Sequence, residues 1–148
     1  MQFDPNNHVV KRCAQGMSLE GEGKNEEALR CFQQAWDEAE NDFEKFTAAH
    51  YVARHQKNTS DKLKWDTLAL NLALKLNDDK LKGTYPSLYL NIGKCYEDLK
   101  DLQNARAHSE RALSYTDALA DDGYGKMIKG GIQSGLERIQ ALEKAMPG

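Results

Sequence analysis

The stretch that decides the fold is residues 86–112, which read PSLYLNIGKCYEDLKDLQNARAHSERA. It begins with a proline, which suits the first turn of a helix, and continues mainly in good helix-forming residues. Gly93 is followed after twelve residues by Ala105, and Ala112 comes seven residues later. Small side chains let two helix axes approach to about 8–10 Å, so this spacing predicts two helices packed closely together.

The same spacing occurs near the N-terminus of the chain. Gly16 is followed after twelve residues by Ala28, and Ala35 comes after a further seven. A series of small residues recurs in steps of 37, 40 and 38: Gly16, Ala53, Gly93 and Gly131. We therefore predict repeated helical hairpins that stack on one another, because no single hairpin can bury its own apolar face.

These motifs resemble the tetratricopeptide repeat family, whose pattern has Leu-Gly, an aromatic residue three positions on and a later Ala-x-x-x-Phe step. The third repeat here reads Tyr89-x-x-Ile92-Gly93-x-x-Tyr96, and the first contains Ala28-x-x-x-Phe32. The period is longer than the usual 34 residues. In this respect the chain is similar to the extended repeats of kinesin light chains and of bacterial peptide-sensing regulators.

Three residues depart from the family pattern. Arg12 stands where a bulky apolar residue is usual, and Ser109 occupies the place that Phe32 has in the first repeat. In the middle repeat Trp65 stands where an alanine is expected, so its register could be shifted by one turn.

The resemblance implies an all-α fold, a right-handed superhelix of three stacked antiparallel helix pairs plus a C-terminal capping helix. We expect one domain over residues 1–148, with repeats at about 9–42, 43–82 and 86–119 and a capping helix at about 124–145. The predicted helices cover about 8–21, 25–40, 43–57, 61–76, 86–99, 102–119 and 124–145.

Composition limits the classes of function. The 148 residues are 40% apolar and 29% charged, with a formal net charge of -3. Nucleic-acid binding is not expected, because it usually needs a clustered positive field.

No apolar run approaches the roughly 20 residues that cross a bilayer, and the N-terminus shows no secretory signal, so we expect a cytoplasmic protein without membrane partners. The cysteines Cys13, Cys31 and Cys95 lie in apolar helical patterns and are predicted to be small core residues.

In this family the first helix of each pair lines the concave face of the superhelix, where a protein or peptide binds. Eight positions face that groove in the predicted register: Thr47, His50, Tyr51, Arg54, Ser87, Leu90, Asn91 and Lys94. Family members that hold an extended peptide commonly use an asparagine at the place of Asn91. With Arg54 and Lys94 in the groove, the resemblance implies a ligand that carries a carboxylate. The alternative is a polar face that is simply solvated. The two-carboxylate clamp of the family is not expected, because Cys13 and Met17 occupy the places of its lysine and asparagine.

The last predicted helix has an apolar stripe that includes Ile128, Ile132 and Leu136. One interpretation is a capping helix that covers the third repeat, since such arrays need an end with a polar outer face. The other is a surface for self-association as a two-fold homodimer.

No enzymatic activity, cofactor or metal is predicted. His50 and His55 are five residues apart and diverge around a helix, and Gly21-Glu22-Gly23 reads as a turn between helices. A nucleophilic pair such as Cys95 with His50 would lack any orienting motif. The hypotheses are therefore a non-enzymatic protein- or peptide-binding adaptor and, alternatively, a self-association module. A third is a sensor for a peptide signal, by analogy with the bacterial regulators.

Overall fold

In the computed structural model, residues 4–146 are described, and within them all regular structure is helical. The α-helices are α1 His8–Gly21, α2 Asn25–Glu38, α3 Asp42–Arg54, α4 Thr59–Leu76, α5 Tyr85–Asp98, α6 Leu102–Ser114 and α7 Gly123–Ala145. Short 3₁₀ segments cover Asp79–Thr84 and Thr116–Ala118. The all-α prediction is confirmed, and α6 ends five residues before the predicted position because the chain changes to a 3₁₀ turn there.

The helix starts follow from side chains that accept hydrogen bonds from free backbone N–H groups. Asn58, which the sequence places in the turn before α4, is extended and accepts from the Asp61 amide at 2.7 Å. Asn7 does the same for α1, and its amide also donates to Glu44 of α3 at 2.7 Å. Capping thus fixes where α1 and α4 begin and ties α1 to α3.

The chain divides after Asn77 into two compact units. The N-terminal unit holds α1 to α4, which form the hairpins α1–α2 and α3–α4 packed through α2 and α3. The C-terminal unit holds the hairpin α5–α6, against which α7 packs. The superhelix over the whole chain and the single domain stay predictions.

A close crossing of α1 and α2 organises the N-terminal unit. A β-carbon added at Gly16 would lie 2.4 Å from Cε1 of Phe32, whose side chain is fully buried. The Phe32 ring also stacks on Tyr51 at a centroid distance of 5.0 Å and on His55 at 5.5 Å. Only glycine allows α1 to approach this ring, which confirms the predicted reason for the small residue.

The middle repeat differs from the first in its second helix. Trp65 of α4, at the position where an alanine is expected, meets Trp36 of α2 edge to face at 5.1 Å. The fully buried alanines of α4 are Ala69 and Ala73, which begin one turn after Trp65. The buried alanines of α4 therefore begin one turn later than the family spacing predicts.

The C-terminal unit repeats the crossing with smaller side chains. A β-carbon at Gly93 would lie 2.7 Å from Oγ of Ser109, so serine and glycine meet where the first repeat has phenylalanine and glycine. On the other side α7 buries Ile128, Ile132 and Ile139. The predicted capping helix is therefore present and covers α5 and α6.

Ion pairs join neighbouring helices in both units. Glu97 of α5, 7% exposed, accepts from Nε and Nη2 of Arg138 of α7 at 3.0 and 3.1 Å. Arg12, the first departure from the family pattern, pairs with Glu38 of α2 at 3.2 Å. A half-exposed arginine is tolerated there because its charge reaches a carboxylate at the rim of the hairpin.

Candidate functional site

Two predicted groove residues are turned into the protein instead. Thr47 is 3% exposed and its hydroxyl donates to the Phe43 carbonyl at 2.9 Å. Ser87 is 9% exposed and donates to the Thr84 carbonyl at 2.9 Å. Both hydroxyls bond to the backbone one turn earlier, as Ser and Thr commonly do in helices. The assignment of these two residues to an open groove is therefore corrected.

Leu90 is also used within its own unit. Its Cδ2 would lie 3.2 Å from a β-carbon at Gly131 of α7, so the leucine is half-buried against the capping helix. This contact gives Gly131 a different role from Gly16 and Gly93. It admits a side chain of the preceding repeat, whereas the other two glycines admit the second helix of their own hairpin.

Arg54 lies on the surface of the N-terminal unit, and its charge is already shared with a carboxylate. Its Nη2 donates to Oε1 of Glu20 at 2.6 Å, while Oε2 of Glu20 lies 2.6 Å from Nε2 of His55. The guanidinium carbon stands 4.8 Å above the Tyr51 ring, a cation–π distance. Glu20 is a residue that the sequence analysis did not select. No pattern marks it, because it comes to Arg54 from another helix.

His50 is half-buried between aromatic rings, at 6.4 Å from Phe46 and 5.3 Å from Tyr51. Burial lowers the pKa of His50 to about 4, with further lowering by the positive charges of Arg54 and Lys62. The ring is therefore neutral near pH 7. Its Nδ1 is buried and has no hydrogen-bond partner among residues 4–146. Because this nitrogen lies below the surface, His50 contributes its neutral ring to the aromatic packing beside Phe46 and Tyr51.

Acid should destabilise the protein through His50. The unfolded chain binds this proton with a pKa of about 6.5, whereas the folded chain binds it with a pKa of about 4. The stability contribution is fully present above the unfolded pKa and is lost progressively as the pH falls through this interval towards the folded value. We expect urea midpoints to fall from pH 7 to pH 4.5 and to fall less in His50→Gln.

The control for this prediction is His8→Gln, which removes an exposed histidine of α1. It should keep the pH dependence that His50 causes. An equal loss of stability between pH 7 and pH 4.5 in wild type and His50→Gln would show that this ring does not titrate as described.

Asn91 and Lys94 lie about one turn apart on α5, and they differ in whether the side chain has a hydrogen-bond partner in the protein. Lys94 is exposed, and its Nζ donates to Asp98 at 2.7 Å, which raises the pKa of Lys94. Asn91 is half-buried, and its side-chain amide makes no hydrogen bond to any residue in the described range. An amide carries two donor hydrogens and one acceptor oxygen, so Asn91 presents an unused donor–acceptor pair at the surface of α5.

Residues 86–118 match the model of the tetratricopeptide repeat family. The chain carries a tetratricopeptide repeat. The match coincides with the third predicted repeat and with the hairpin α5–α6, so Asn91 lies on the first helix of the matched tetratricopeptide repeat. No curated protein and no solved structure matches the chain. Tetratricopeptide repeats generally mediate contacts between proteins and are typically non-enzymatic.

The apolar stripe of α7 packs against this tetratricopeptide repeat. Ile128 is 7% exposed and Ile132 is fully buried, while Leu136 is half-buried. A dimer formed through the two isoleucines would require α7 to leave α5 and α6. The prediction that these isoleucines offer a free surface for self-association is therefore corrected.

The three cysteines are core residues, as predicted. Cys13, Cys31 and Cys95 are between 2% and 8% exposed. Burial, together with the nearby Cys31, raises the pKa of Cys13 to about 12, so this thiol stays protonated. In the part of the chain that the structure describes, no cluster of three or more metal-ligating side chains occurs, and no helix is long and apolar enough to span a bilayer.

Proposed function

We propose that the chain is a non-enzymatic adaptor that binds a protein or peptide on the first helices of its repeats. In the N-terminal unit we assign His50, Tyr51 and Arg54 on α3 to binding, and in the C-terminal unit Asn91 and Lys94 on α5. The observation that carries the proposal is the free amide of Asn91 on the first helix of the matched repeat. A surface amide that makes no bond within the protein can exchange water for a ligand, and such a hydrogen bond contributes about 0.5–1.5 kcal/mol net.

The chemistry of these side chains favours an extended peptide. The Asn91 amide can bond to both the N–H and the C=O of a peptide unit, which orients the chain without selecting its side chains. Binding to a peptide backbone thus needs only side chains whose donor and acceptor atoms are not already bonded within the protein.

Electrostatics modulate this binding and do not dominate it. Arg54 already pairs with Glu20, and Lys94 already pairs with Asp98. A carboxylate of the ligand would have to share these cations with the half-buried Glu20 and the exposed Asp98, and ion pairs near the surface contribute about 0–1 kcal/mol. We therefore propose that a ligand carboxylate affects orientation more than affinity.

The test is a selection of peptides from a random 12-residue library against the purified chain, followed by titration of the selected peptides. In the variant Asn91→Ala with Arg54→Ala we expect the dissociation constant to rise about tenfold, since a lost hydrogen bond costs about 1 kcal/mol and an exposed ion pair up to about 1 kcal/mol. Circular dichroism should show unchanged helix content, because Arg54 is exposed and Asn91 is half-buried.

The matched control is Asn71→Ala with Arg30→Ala, which removes the same two side-chain types from exposed positions on α4 and α2, the second helices of their hairpins. It should bind the selected peptides like wild type. Equal affinities for the Asn91 variant and the control would contradict the assignment of this surface, and so would a library that yields no binders. The peptide-sensor hypothesis uses the same surface and predicts selection of short peptides in particular.

A further inference from the structure

Leu113 of α6 is a large apolar side chain that is 51% exposed. It stands twenty residues after Gly93, and Trp36 of α2 stands twenty residues after Gly16. The two residues therefore occupy the same place in their repeats. In the N-terminal unit that place is covered, because Trp65 of α4 packs on Trp36 at 5.1 Å.

The difference follows from the order of the helices. In the N-terminal unit, α2 and α3 pack together, α4 pairs with α3, and Trp65 reaches back to α2. In the C-terminal unit, α6 and α7 correspond to α2 and α3, and α7 is the last helix among residues 4–146. Leu113 faces the groove between them without a helix that plays the part of α4.

The groove between α6 and α7 has a volume of about 530 Å³ and a mixed lining. Leu113 and the half-buried Leu136 form its apolar part, and two glutamine amides of α7 lie beside them. An amphipathic helix binds by laying its apolar face into a groove, and Leu113 with Leu136 supplies the apolar contact for such a helix here.

The charge of the groove is negative. Glu110 and Glu137 line it, and Glu137 has no ion-pair partner in the described range. Arg106, the cation of the lining, pairs with Glu143 at one end of the groove and lies 3.4 Å from Glu110. Because its charge is shared between two carboxylates, the surface around Leu113 retains an excess of acidic groups.

We propose that this groove binds an amphipathic helix of a partner protein, with a large apolar residue on Leu113 and Leu136 and lysine or arginine residues facing Glu110 and Glu137. The helix would take the position relative to α6 and α7 that α4 takes relative to α2 and α3. The N-terminal unit shows the apolar part of this arrangement, because Trp65 of α4 packs on Trp36 of α2. This surface is separate from the one proposed above and does not rest on it.

The probe is a fluorescein-labelled synthetic peptide with the sequence of α4, TSDKLKWDTLALNLALKL, titrated with the full chain and followed by fluorescence anisotropy. We expect saturable binding that weakens at least about tenfold in Leu113→Glu. We expect Glu110→Lys with Glu137→Lys to weaken it as well. A peptide in which Lys62 and Lys64 are replaced by glutamate should bind this charge-reversed variant better than wild type.

The outcomes separate this surface from the alternatives. Leu113 is exposed, so Leu113→Glu should fold normally, which circular dichroism checks. Asn91→Ala should leave binding of the α4 peptide unchanged. Binding that is equal in wild type and Leu113→Glu, or absent up to millimolar protein, would overturn the proposal. So would a dimer in analytical ultracentrifugation that Leu113→Glu dissociates, since the occupant would then be a second copy of the chain.

Discussion

Replacing Phe32 with alanine should lower the free energy of unfolding by about 3–5 kcal/mol, the range for deleting a fully buried aromatic ring. The ring is 0% exposed and lies between α1 and the end of α3. Its removal opens a cavity beside Gly16 and ends the stacking on Tyr51 and His55. Urea denaturation followed by circular dichroism at 222 nm measures the change.

A double-mutant cycle with Gly16 tests the cause of this effect. Gly16→Ala in wild type should destabilise by about 1–3 kcal/mol, because its β-carbon would clash with the ring. In the Phe32→Ala background the same change should be neutral or stabilising, since alanine is the better helix former. Additive effects would show that the crossing of α1 and α2 does not depend on this contact.

Replacing Ile132 with alanine should destabilise the protein by about 2–5 kcal/mol, the range for an isoleucine in a close-packed core. Ile132 is fully buried in α7, which packs on α5 and α6. The loss should be the same at every protein concentration, because the isoleucine serves the core of its own chain. Denaturation at protein concentrations a hundredfold apart measures this.

The control on the same helix is Met127→Ala, whose side chain is 63% exposed. It should change stability by no more than about 0.5 kcal/mol. If the effect of Ile132→Ala appeared only at high protein concentration, the stripe of α7 would lie in a dimer interface and the capping role would be wrong.

The fold could be predicted from the sequence to a large extent because hairpin packing depends on local rules. Gly16 and Gly93 admit Phe32 and Ser109, and both contacts follow from the twelve-residue spacing to Ala28 and Ala105. The sequence alone did not decide whether the register of α4 is shifted by one turn. The burial of Ala69 decides this register, because Trp65, at the expected place, packs on Trp36 of α2 instead.

The candidate surface was predicted less well, since helical register gives a direction and not the surroundings. Thr47 and Ser87 point into protein, and Leu90 lies under α7. The assignment of Asn91 to the groove stays a prediction, and only the structure shows that its side-chain amide makes no hydrogen bond within the described residues. Glu20 and Leu113 were missed because their importance comes from residues on other helices.

The sequence alone determined the helical class, the repeat and its small-residue crossings, because these depend on side-chain volume at fixed spacing along one chain. The tertiary structure decided which polar groups are already satisfied, which apolar side chains remain exposed and where charge is neutralised. Those properties depend on side chains that approach from other helices, and the linear order of residues does not specify these distances.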